Sequence, residues 1–63
     1  MNNLIIRTTM LKNGYRAWML ANLLKISEPT LYRKLRVELP EDEQRRIAEL
    51  IEEDVAKGDQ KHE

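Results

Sequence analysis

The sequence predicts an all-α fold, a compact domain of four helices. Two observations carry this expectation. No stretch alternates Val, Ile, Thr or aromatic residues with polar ones over the length of a strand. Apolar residues recur instead at three- and four-residue spacing, and residues that start or stop helices fall between the resulting segments.

Asn3 stands where a first helix, Leu4 to Lys12, would be capped. Leu4, Thr8 and Leu11 are expected to form its inner stripe, with Ile5 alongside. Asn13-Gly14 stops it, because glycine tolerates the left-handed conformation that ends helices. A second helix, Ala17 to Leu24, places Ala17, Leu20, Ala21 and Leu24 on one face. Lys25-Ile26 is a short turn. Ser27 is a good N-cap, and Pro29 falls in the first turn of a third helix, where its missing N–H costs nothing. That helix, Glu28 to Leu35, buries Leu31 and Leu35 at i, i+4. Val37-Glu38-Leu39-Pro40 leads to a fourth helix, where Glu41, Asp42 and Glu43 complement the positive N-terminus. Ile47, Leu50, Ile51 and Val55 form its apolar stripe, and Lys57-Gly58 closes it. The domain is expected to fill residues 1–58, leaving 59–63 as a flexible charged tail.

Sixty-three residues make one domain, and one that buries only about 60% of its unfolded surface. Without cysteine there is no disulfide framework and no cysteine-bearing zinc site. A single histidine, His62, excludes a histidine cage. Glu41, Asp42, Glu43, Glu49, Glu52, Glu53 and Asp54 read as a solvated face without the loop spacing of a calcium site. Ser27 and Tyr32 have no partner base nearby. No metal, cofactor, small-molecule substrate or catalytic residue is therefore expected, and no enzyme. The longest uncharged stretch, Ala17 to Leu24, is far too short to span a bilayer, and the opening residues do not read as a secretory signal. The expected location is the cytoplasm.

The charges are segregated. Residues 1–37 carry seven bases against one acid, and residues 38–63 carry four against ten, so a net +6 is joined to a net −6. Such asymmetry points to a front half that faces a polyanion.

The second and third helices, with their short turn, have the form of a helix-turn-helix. Small Ala21 lets the helices approach, Ile26 plugs the turn and Leu31 anchors the third helix. The stretch resembles the lambda-repressor-like DNA-binding domains of the Cro and XRE type. Gly14 with Tyr15, Leu20-Ala21, Leu24, Ile26-Ser27, Thr30-Leu31 and Arg33-Lys34-Leu35 match that pattern in register, over most of residues 3–51. The pattern differs at four places. Ala17 stands where a phosphate-bonding glutamine is usual, and Arg16 where a Ser or Thr caps the second helix. Lys25 replaces the turn glycine, which asks it to take a left-handed conformation. The connector is short, and no fifth helix follows.

The resemblance implies a small transcription regulator, of the kind found in phages or mobile elements, that binds a duplex operator through its third helix and acts by occlusion, as a repressor, or by recruitment. Glu28, Pro29, Tyr32, Arg33 and Arg36 face outward there and are the candidate base contacts. Lys12, Arg16, Lys25 and Lys34 are candidate phosphate contacts, which position a protein without reading sequence. Thr30 suits a bond within the motif or to DNA.

Trp18 and Met19 lie away from the buried arc of the second helix. They either fold back over the first or fourth helix or form a partner surface, together with Val55. The expected partner is a second copy in a homodimer, or another regulator. An alternative follows from Trp18-Met19, the overall neutrality and the missing glutamine. In it the chain keeps the fold as a protein-interaction module that binds a partner regulator.

Overall fold

The computed structural model describes residues 2–57. Gly58, the 59–63 tail and His62 lie outside the described residues. Among the described residues there are four helices and no strand: α1 (Leu4–Lys12), α2 (Ala17–Leu24), α3 (Glu28–Leu35) and α4 (Glu41–Ala56). All four agree with the expected boundaries. α1 runs along α4, and α2 packs on both α3 and α4. Ile6, Tyr15, Leu20, Ala21, Leu31, Leu39, Ile47 and Ile51 form the core.

The inner face of α1 is not the expected one. Leu4 is 58% and Leu11 85% exposed, and Thr8 is exposed too. Ile6 and Thr9 are buried, and Met10 is half-buried against the core. Leu4, Ile5 and Ile6 are consecutive, so apolar side chains cover more than half of the first turn of α1. Periodicity then fails to choose a face, and packing against α4 chooses it. Leu50, expected inside, stands at the exposed edge of the α4 stripe.

The turns after α1 and α2 are two versions of one device. After α1, Tyr15 N–H donates to Met10 O at 2.8 Å and Gly14 N–H to Leu11 O at 3.2 Å, with Gly14 at φ +62°. After α2, Ile26 N–H donates to Ala21 O at 3.0 Å and Lys25 N–H to Asn22 O at 3.1 Å, with Lys25 at φ +62°. Both are Schellman closures, which need a left-handed residue after the last helical one. The first uses glycine. The second imposes that conformation on a lysine, as its place in the sequence requires.

Asn3 does not cap α1 with its side chain. It is 1% exposed and left-handed, and it clasps the connector instead. Its Nδ2 donates to Leu35 O at 3.0 Å and Val37 O at 2.9 Å, and its Oδ1 accepts from Leu39 N–H at 2.7 Å. Two N–H groups at the start of α1 are met from elsewhere. Glu38 Oε1 accepts from Asn3 N–H at 2.9 Å, and buried Gln44 accepts from Ile5 N–H at 3.1 Å. Gln44 Nε2 then donates to Glu38 Oε2 and Leu39 O. The Asn3 N–H, followed by the Gln44 amide, holds the Glu38 carboxyl below its usual range. No buried side-chain polar atom among the described residues is left without a partner, as a stable polar network requires.

Candidate nucleic-acid interface

Ser27 starts α3 as its sequence suggests. Its Oγ accepts from Thr30 N–H at 3.3 Å and donates to Thr30 Oγ1 at 2.9 Å. The Thr30 hydroxyl is thus engaged within the turn. Leu31 is fully buried and Leu35 partly so, which fixes the inward side of α3. Glu28, Pro29, Tyr32, Arg33 and Arg36 are consequently all exposed, with Tyr32 at 55%. Glu28, Tyr32 and Arg36 follow one another at four-residue steps along one row.

The four candidate phosphate residues divide into two pairs. Arg16 is exposed at the N-cap of α2, and Lys25 is exposed on the left-handed turn. Neither forms an ion pair among the described residues, and neither do Arg33 and Arg36. Lys12 and Lys34 are engaged with acids of α4, through Lys12 Nζ to Glu52 at 3.2 Å and Lys34 Nζ to Glu43 at 3.2 Å. Lys34 lies on the α4 side of α3, away from Tyr32 and Arg36.

One basic residue of this region was missed in the sequence. Arg7 of α1 shares a groove with Tyr32, Arg36, Met10 and Ala17. Its Nε donates to Asn2 O at 2.9 Å, and Asn2 Nδ2 donates to Arg36 O at 2.9 Å. Asn2 therefore ties the start of α1 to the end of α3. No local pattern around Arg7 marks it, because Ala17, Tyr32 and Arg36 reach the groove from α2 and the end of α3, far along the chain.

Trp18, Met19 and Val55 are not equivalent. Trp18 is 54% exposed. Met19 and Val55 are half-buried against the core. Met19 Sδ also accepts from Arg16 N–H at 3.3 Å, a thioether in place of the oxygen that would close a helix start.

No helix among the described residues is long and apolar enough to cross a membrane. No family model, curated protein or solved structure matches the chain.

Proposed function

We propose that α2 and α3 form a helix-turn-helix and that the chain is a DNA-binding protein. More particularly, it reads as a small lambda-repressor-like regulator of the Cro and XRE type, working in the cytoplasm on a specific duplex operator. The observation that carries this reading is the row of exposed side chains on α3, held outward by buried Leu31 and flanked by Arg16 and Lys25, which form no ion pair among the described residues. In this reading α3 enters the major groove. Arg33 or Arg36 pairs with guanine, Glu28 accepts from cytosine, and Tyr32 touches a thymine methyl or backbone oxygen. Arg16 and Lys25 hold phosphates, and Arg7 extends the basic surface beside Arg36. There is no chemistry, since regulation is by occupancy alone.

The test is a salt titration of binding to random and selected duplex DNA. Affinity should fall with salt at a slope near −0.9 per phosphate neutralised. Binding that is absent at low salt, or flat as salt rises, refutes the reading. Exposed Trp18 favours a second one, in which the same fold binds a partner regulator. It predicts no duplex binding, with Trp18→Ala abolishing the protein contact.

A further inference from the structure

Four residues of α4 and its C-cap run along one side at three- and four-residue steps: Glu43, Arg46, Leu50, Glu53 and Lys57. They flank the buried row of Gln44, Ile47 and Ile51. Their characters run acidic, basic, apolar, acidic, basic. Reversed, the order is basic, acidic, apolar, basic, acidic, so the stripe complements its own reverse at every charged position. Two α4 helices crossing antiparallel, Leu50 on Leu50, set Arg46 against Glu53 of the second copy, and Lys57 of the second copy against Glu43, whose carboxylate also holds Lys34 of its own chain at 3.2 Å. The two-fold axis repeats both contacts. A parallel crossing sets like charges against like.

The stripe is also apolar where a second copy needs it. Leu50 is 36% exposed and borders a groove between α2, α3 and α4 that Leu24, Ile26 and Ile47 line. Thr30 and Lys34 form the α3 wall of that groove. Tyr32 and Arg36 line a different groove on the other flank of α3. An occupant on the α4 side therefore leaves the groove of Tyr32 and Arg36 uncovered.

We propose that this face is a self-association surface, on which a second copy of the chain docks through an antiparallel α4 pair with each Leu50 seated at the other's groove. Charge complementarity of the stripe with its own reverse selects a second copy as the occupant. The inference does not depend on DNA binding, and Trp18 plays no part in it.

Charge reversals at exposed positions test it by sedimentation equilibrium over a range of protein concentrations. The wild-type chain should approach twice its monomer mass as concentration rises. Arg46→Glu faces Glu53 of the second copy with a like charge, twice over, and Glu53→Arg does the same to Arg46. Each alone should weaken association about tenfold or more. Mixed, the two variants should pair with each other, because each contact across the axis is then acid on base. The double variant carrying both changes should self-associate again. Recovery on mixing also shows that both variants are folded. A wild-type chain that stays monomeric into the millimolar range overturns the proposal. So do single variants that associate like wild type, or a mixture that fails to recover.

Discussion

The Tyr15 hydroxyl donates to Asp54 Oδ2 at 2.7 Å, joining the turn after α1 to the end of α4 across 39 residues. The ring is 5% exposed, so the bond forms at the edge of the core. Burial first, then the hydrogen bond and the negative charge of Asp54, push the phenol well above its ordinary value. The neutral form is thus the one that the fold favours.

That preference gives an alkaline signature. A raised folded-state pKa contributes stability that is complete below the unfolded value of about 10 and declines as pH rises beyond it. Urea melts at about pH 9 and about pH 11 should show a steeper loss in wild type than in Tyr15→Phe. At neutral pH the same substitution should cost about 0.5–1.5 kcal/mol. Parallel pH profiles for the two proteins would mean that the Tyr15–Asp54 bond contributes nothing.

Asn3→Ala should destabilise by about 1–3 kcal/mol, because it leaves buried connector groups without partners. Asn3→Asp is nearly isosteric and keeps the acceptor for Leu39 N–H, but it loses both donations to Leu35 O and Val37 O. It should therefore be destabilised as well. Thermal melts that leave both variants at the wild-type midpoint would contradict the clasp.

Lys25 offers a way to separate stability from binding. Glycine relieves a left-handed side-chain penalty of roughly 1 kcal/mol, so Lys25→Gly should melt at or above the wild-type temperature. Lys25→Ala keeps the strain. Both remove the charge, and both should weaken binding to every duplex sequence alike if Lys25 holds a phosphate. Duplex titrations with the two variants decide this, and unchanged affinity in both removes Lys25 from the interface.

Arg33→Ala should cost about 1–3 kcal/mol of binding and relax preference at one base pair if the guanidinium reads guanine. Competition among single-base operator variants measures this. Equal weakening on every sequence would reassign Arg33 to the phosphate backbone.

The helix boundaries were legible because local chemistry sets them. Gly14, Ser27, Pro29 and Pro40 act on residues within a turn of themselves. The outward side of α3 was legible for a related reason, since Leu31 and Leu35 alone give it an inside. The face of α1 was not legible, because Leu4, Ile5 and Ile6 offer too many choices and α4 makes the selection. Asn3, Gln44 and Leu39 escaped notice as buried residues because their partners lie far along the chain. Asn3 reads locally as a helix cap, and only the folded chain brings Leu35 to Leu39 within its reach. Arg7 was hidden in the same way.

The Asn2 and Asn3 bonds to the end of α3 also decide where the domain tolerates an attachment. Asn2 is held on Arg36 O, at the rim of the groove that Tyr32 and Arg36 share with Arg7. Any tag, dye or fused protein joined ahead of Asn2 therefore leaves the domain beside the outward row of α3, where it would shade those side chains. If the outward row of α3 holds a duplex, an affinity handle placed there would weaken that binding for purely steric reasons.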